Sequence, residues 1–203
     1  ANSWMQTPAG FEMRGNVAHP TDWLAAIFNP SFPYRFAHMV NAAYLTTGFV
    51  VLAVAARYLL ARRYVSEAQT MMRMSIGLLA ILAPLQLFIG DQHGLNTLKH
   101  QPIKIAAMEA HWDGAKPADF HIFAWPDEKG EKNLFEISIP RGASLILTHK
   151  VDGLFPGLTS VPASERPPVK TVFFAFRTML FIGFFMIAAA LSGALLWWRK
   201  RLF

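Results

Sequence analysis

Three long runs of apolar residues stand out along this chain of 203 residues. They cover residues 36–61, 71–90 and 171–198. Each run has the roughly 20 mostly apolar residues that a helix needs to cross the hydrocarbon core of a bilayer. Pro84 lies in the second run, and membrane helices tolerate such a proline, with or without a kink. The pattern predicts an all-α membrane protein with three transmembrane helices in this segment.

The other residues form a lead-in, residues 1–35, and a long loop, residues 91–170. Within the loop, residues 103–112 consist of good helix formers, which predicts a short helix. The runs FHIFAW and LFEISIP flank the polar stretch PDEKGEKN, a pattern typical of a β-hairpin. Loops of this length in compact proteins are usually lids or binding elements. We therefore expect a folded loop with a binding function.

Basic residues beside the apolar runs predict the orientation. They fall in two clusters, one around the first short connection and one after the third run: Arg62, Arg63, Arg73, Arg199, Lys200 and Arg201. Positive charge at short loops marks the cytoplasmic side of a membrane. The lead-in and the long loop are then expected outside the cytoplasm.

Composition excludes several classes of function. The chain is 53% hydrophobic with a mean hydropathy of +0.28, so its net charge of +6 indicates membrane orientation more than nucleic-acid binding. Cysteine is absent, which excludes disulfides, thiolate metal sites and thiol nucleophiles. No phosphate loop or nucleophile elbow is present. The N-terminal ANSWMQTPAG is not a signal peptide, and we expect the chain to be a segment of a longer protein.

Two residues in the runs suggest a heme. His38 lies about one turn into the first run and Met179 about two turns into the third, both near the predicted outer ends. A His and a Met facing each other across a helix bundle can supply both axial bonds of a six-coordinate heme, which suits electron transfer. Packing roles for both residues remain open. Arg177 is a candidate for a buried anionic partner such as a heme propionate, with snorkelling as the alternative.

The predicted loop helix contains a carboxylate on its apolar face. Ile105, Met108, Glu109 and Trp112 are spaced at i, i+3, i+4 and i+7 in KIAAMEAHW. Partial burial favours the protonated form of a carboxyl group, which would suit an acceptor for protons released from a quinol. A solvated helix with Glu109 at the edge of the stripe is the alternative. Lys104, five residues earlier, lies on a different face and is not positioned to pair with it.

Several phrases together resemble one family. NSWMQTPAGF, FNPSFPYRFAHMVNAAY, GDQHG, KIAAMEAHW and FAFRTM occur in this order in the sequence. In this respect the chain resembles subunit I of cytochrome bd-type quinol oxidases, especially the cyanide-insensitive oxidase branch, as a central segment of that subunit. The resemblance covers nearly the whole chain.

The resemblance implies a role for each candidate residue. His38 and Met179 would be the axial ligands of the low-spin heme b558, with Arg177 beside that heme. The loop from Asp91 onward would bind the quinol, with Lys104 and Glu109 as its catalytic residues.

The resemblance also implies cofactors and partners that this chain does not contain. In the intact family subunit, electrons pass from ubiquinol or another quinol to a high-spin heme b and a heme d, where oxygen is reduced, and protons are released outside. The implied setting is a multi-pass protein of the bacterial cytoplasmic (inner) membrane, with a second large subunit and small single-span subunits. Two alternatives are a heme b anchor of another quinone-linked dehydrogenase and a structural membrane protein without cofactor. The first usually offers several intramembrane histidines, whereas here the runs contain only His38.

Overall fold

The computed structural model describes residues 2–203 and consists mainly of helices. Three are long: α3 (Phe32–Leu60), α4 (Val65–His100) and α7 (Val169–Trp198). Each is long and apolar enough to cross a membrane. The short helices are α1 (Asn2–Gln6), α2 (Trp23–Ile27), α5 (Pro102–Glu109) and α6 (Gly142–Thr148), and two 3₁₀ turns cover Leu158–Ser160 and Ala163–Glu165. The three predicted transmembrane helices are confirmed as helices.

Two antiparallel hairpins complete the fold. The first pairs β1 (Phe11–Arg14) with β2 (Val17–Pro20) and was not predicted. The second pairs β3 (Phe120–Asp127) with β4 (Lys132–Ile139), with register shifts around Phe123. This second hairpin confirms the strands expected from FHIFAW and LFEISIP.

The chain forms two compact units. One consists of Tyr34–Asp91 and Leu180–Phe203, and its core joins the three long helices through Leu45, Leu79, Ala83 and Ala190. The other consists of Ala1–Pro33 and Gln92–Met179, and we call it the loop unit.

The loop unit has a core of its own. Small side chains of α5 pack against the hairpin and the first turns of α7 in a cluster of buried residues: Ala106, Ala107, Ala110, Trp112, Ala124, Leu158, Val169 and Phe173. A second cluster contains Ile105, Ala118, Ala143 and Phe155. Burial of these apolar surfaces, at about 25 cal/mol per Å², makes the long loop a folded unit.

The predicted helix 103–112 is wrong at its C-terminal end. Pro102 occupies the first turn of α5, where its missing N–H costs nothing. The helix ends at Glu109 because Ala110 adopts the left-handed conformation, with φ 51° and ψ 40°. The N–H of His111 then donates to the Ala106 carbonyl at 2.8 Å, which closes the helix end. Trp112 therefore lies beyond the helix.

Candidate functional site

A buried ion pair joins α5 to α7. Arg177 Nη2 donates to Glu109 Oε2 at 2.7 Å, and Arg177 Nη1 lies 3.5 Å from Glu109 Oε1. Only 4% of the Arg177 side chain and 7% of the Glu109 side chain are exposed. The predicted desolvation of Glu109 is thus confirmed, and the buried anion expected near Arg177 is present within the chain. Sequence patterns could not pair the two residues, because 68 positions separate them.

Arg177 is held by more than its carboxylate. Its Nε donates to the His121 carbonyl at 2.5 Å. Its guanidinium carbon lies 4.5 Å from the ring centroid of Phe120, 4.9 Å from that of Phe173 and 5.5 Å from that of Phe176. Aromatic faces attract a cation at these distances. The guanidinium is therefore fixed by a carboxylate, a carbonyl and three rings.

A partly buried amide network lies beside the ion pair. Trp112 Nε1 donates to Asn133 Oδ1 at 2.9 Å, and Asn133 Nδ2 donates to the Ala110 carbonyl at 3.0 Å. Asn133 Nδ2 also lies 3.2 Å from His121 Nε2. An indole N–H can only donate, so the amide oxygen must face Trp112 and the amide N–H groups must face the other two partners. His121 Nε2 is therefore an acceptor, and its proton is on Nδ1.

Two histidines of the loop unit are buried and favour the neutral form. Burial lowers the pKa of His121 below the usual 6.5, and the Arg177 charge adds to this effect, while Glu136 at 3.7 Å from Nδ1 opposes it. Burial also lowers the pKa of His111, whose ring packs 4.7 Å from that of Phe155. Neither residue had been singled out from the sequence. Strand alternation gave no signal of the burial of His121, because Phe123, two residues further along β3, is exposed.

Lys104 and Glu109 have different partners. Lys104 Nζ donates to Gln6 Oε1 at 2.8 Å, and Gln101 Nε2 donates to the Gln6 carbonyl at 3.1 Å. Lys104 thus connects α5 to the N-terminal helix, whereas Glu109 binds Arg177 on α7. This agrees with the different helix faces expected from their five-residue spacing.

His38 contacts α4 within the other unit. Asn41 Nδ2 donates to Gln86 Oε1 at 2.7 Å, which turns Gln86 Nε2 toward His38. Gln86 Nε2 lies 3.2 Å from the His38 carbonyl oxygen and 3.1 Å from His38 Nε2. The lone pair of Nε2 therefore faces a donor, and this is the lone pair that a metal ligand uses. A Cβ at Gly90 would lie 3.4 Å from His38 Cε1, so the imidazole sits close to the α4 backbone.

Met179 is the second candidate heme ligand. Met179, in the loop unit, has 48% of its surface exposed, so its thioether is not enclosed by this chain. An imidazole nitrogen with a thioether sulfur is a ligand pair of six-coordinate, low-spin heme. The two residues lie in different units of the chain.

Comparisons with known proteins give one consistent result. Residues 1–203 match the family profile described as cytochrome bd terminal oxidase subunit I. The chain is 36% identical over 172 residues to the cytochrome bd-II ubiquinol oxidase subunit 1 of Escherichia coli (strain K12), with 82% of this chain and 33% of that protein aligned. It is 33% identical over 213 residues to the cytochrome bd ubiquinol oxidase subunit 1 of Bacillus subtilis (strain 168), with 100% and 45% aligned.

A solved structure has a similar fold. The bd oxidase from Geobacillus thermodenitrificans matches with a TM-score of 0.86 and 27% identity, over 95% of this chain and 44% of that one. The chain thus spans less than half of the length of these relatives.

Proposed function

The chain belongs to the cytochrome bd terminal oxidase subunit I family, and from that membership we propose that it is the quinol-oxidising, heme b558-bearing part of a quinol:oxygen oxidoreductase. The observation that carries this proposal is the buried pair of Glu109 with Arg177. Arg177 lies two residues before Met179 on α7, and Glu109 ends the loop helix α5. The pair therefore connects the proposed quinol loop to the helical turn that carries a proposed heme ligand.

His38 and Met179 would hold the low-spin heme, through Nε2 and the thioether sulfur. When bound, the heme supplies a one-electron acceptor with no open coordination position, which suits electron transfer more than oxygen binding. Arg177 offers the positive charge that a propionate requires, in a position fixed by His121 and the aromatic rings.

Glu109 is the proposed proton acceptor. A quinol that loses an electron becomes a strong acid, and a carboxylate oxygen within reach takes the proton from its O–H bond. Arg177 keeps its hydrogen bond to the His121 carbonyl when Glu109 is protonated, so the site retains its shape. Lys104, on another face of α5, is the proposed polar contact for the quinol.

The remaining partners follow from the family. The quinol is ubiquinol or another quinol, and oxygen reduction belongs to the high-spin heme b and heme d of the intact subunit, outside this segment. A second large subunit and small single-span subunits complete the proposed oxidase. Exposed aromatic residues on α7 support contact with lipid or with further spans: Phe181, Phe184 and Phe185. We place the loop unit on the outer face of the bacterial cytoplasmic membrane, where the protons are released.

The ligand assignment is tested by the reduced-minus-oxidised spectrum of the intact oxidase. We expect His38→Ala and Met179→Leu each to abolish the low-spin b signal, because each would remove one proposed ligand of the heme iron. Matched controls are His19→Ala on exposed β2 and Met74→Leu on an exposed face of α4, which should leave the spectrum unchanged. An unaltered low-spin signal in both ligand variants would refute the assignment.

A further inference from the structure

We propose that neutral His121 is a positioning residue that latches the β3–β4 hairpin over the Glu109–Arg177 pair, and that its protonation releases the latch and slows quinol oxidation at acid pH. The latch consists of His121, Asn133 and Trp112. The effect on turnover rests on the proposed function, whereas the latch itself can be tested without it.

The hydrogen bonds of the latch require a neutral imidazole. Asn133 donates toward His121 Nε2 and to the Ala110 carbonyl while it accepts from Trp112. A protonated His121 carries N–H groups on both nitrogens, so Nε2–H would face the Asn133 amide N–H. Rotating the amide by 180° does not help, because its N–H₂ would then face the Trp112 N–H and its oxygen would face the Ala110 carbonyl. Either arrangement leaves two donors or two acceptors facing each other in a partly buried site.

The latch acts at both members of the ion pair. Ala110, which Asn133 binds, directly follows Glu109 in the chain. The carbonyl of His121 accepts from Arg177 Nε. Loss of the latch therefore loosens two parts of the backbone. One is the main chain next to the Glu109 carboxylate, and the other is the His121 carbonyl that orients the Arg177 guanidinium. Because the substrate-facing geometry must hold to within a fraction of an ångström for efficient proton transfer, this loosening reduces turnover.

The charged groups around His121 define the pH range. Glu136 on β4, Asp119 before β3 and Glu109 on α5 raise its pKa, whereas Arg177 on α7 lowers it. Burial is the largest effect and lowers the pKa below 6.5. His111 is a further nearby titratable group, and its pKa is lowered mainly by burial and also by the charge of a protonated His121. A lowered pKa means that the latch is fully formed above about pH 6.5 and is lost as the pH falls through the folded value.

The test uses the intact oxidase with all subunits, a short-chain ubiquinol and oxygen uptake across the range from about pH 5 to about pH 8. The wild type should lose turnover on the acid side, roughly tenfold for each pH unit below the folded pKa. His121→Gln should flatten this acid limb, because the glutamine oxygen accepts from Asn133 without titrating. His19→Gln, on exposed β2, should match the wild type.

Hydrogen exchange of the resting oxidase gives a second readout that needs no quinol. Residues 120–139 should lose protection at acid pH in the wild type and keep it in His121→Gln at the same pH. His111 is present in both proteins, so the difference reports His121. Equal exchange in the two proteins would overturn the latch, and so would a wild-type acid limb that persists in His121→Gln. If the latch responds in hydrogen exchange but neither the wild type nor any variant oxidises a short-chain ubiquinol or another quinol at any pH, the proposed function fails and the latch stands.

Discussion

At the scale of single residues, the site is organised around a buried cation. Arg177 is 3% exposed, and it contacts Glu109, the His121 carbonyl and three aromatic rings. A buried charge is costly unless it is paired and hydrogen-bonded. The same carboxylate is thus required both for the stability of the loop unit and for the proposed proton transfer.

We therefore predict that Glu109→Gln destabilises the protein by about 3–5 kcal/mol, because Arg177 remains buried without a counter-charge. The double substitution Glu109→Leu with Arg177→Met should recover most of this loss, because two apolar side chains of similar volume replace both charges. The midpoint of thermal unfolding of the purified oxidase measures the effect.

The matched control for this prediction is Glu12→Gln. Glu12 pairs with Arg14 in an exposed ion pair, so its substitution should change stability by less than about 1 kcal/mol. A Glu109→Gln protein as stable as the Glu12→Gln protein would show that the buried pair does not stabilise the loop unit.

The residues of the site differed in how far the sequence could predict them. Five residues could be singled out from the sequence because their chemistry is unusual at their positions: His38, Met179, Lys104, Glu109 and Arg177. Their roles remain predictions. Asn133 and His121 gave no such signal. An asparagine near a polar turn is ordinary, and only tertiary structure brings it between Trp112 and Ala110.

At the scale of elements, the end of α5 depends on a close approach of two backbone segments. The N–H of Leu158 donates to the His111 carbonyl at 3.0 Å, and the N–H of Thr159 donates to the Trp112 carbonyl at 3.1 Å. Gly157 precedes these residues and has no room for a side chain. A Cβ there would overlap the Trp112 carbonyl oxygen and lie 2.5 Å from the Gly114 nitrogen.

We predict that Gly157→Ala lowers the midpoint of thermal unfolding, with a loss of about 1–3 kcal/mol, because the two segments must separate. It should also increase proteolysis of the loop unit near Trp112. Gly94→Ala is the matched control, because a Cβ at this position in α4 meets nothing within 4 Å. Alanine there should be neutral or slightly stabilising, since glycine costs about 1 kcal/mol in a helix. Equal stability of the two variants would contradict the proposed close contact.

The long helices show both the strength and the limit of hydropathy. The apolar runs predicted all three, but α4 continues to His100, ten residues past the predicted end at Gly90. Polar residues such as Asp91 end the apolar run, but the helix continues past them. The actual stop is set by Pro102, which disfavours helical conformation at Gln101. Hydropathy reports the surroundings of a helix, whereas backbone chemistry determines where it ends.

At the scale of the whole molecule, family membership determines what the segment contributes. The chain spans 33% to 45% of the length of the two oxidase subunits compared above. Within this segment, the loop unit provides a buried carboxylate and cation, and α3 and α7 carry the proposed heme ligands. We propose that quinol oxidation at Glu109 reduces the low-spin heme.

The most direct test is anaerobic stopped-flow mixing of the intact oxidase with a short-chain ubiquinol, with reduction of the low-spin heme followed by absorbance. We predict that Glu109→Gln slows this reduction by about a hundredfold or more, because the proton acceptor is lost, while dithionite still reduces the heme completely. Glu12→Gln should behave as the wild type. Heme reduction by ubiquinol at the wild-type rate in Glu109→Gln would contradict the account.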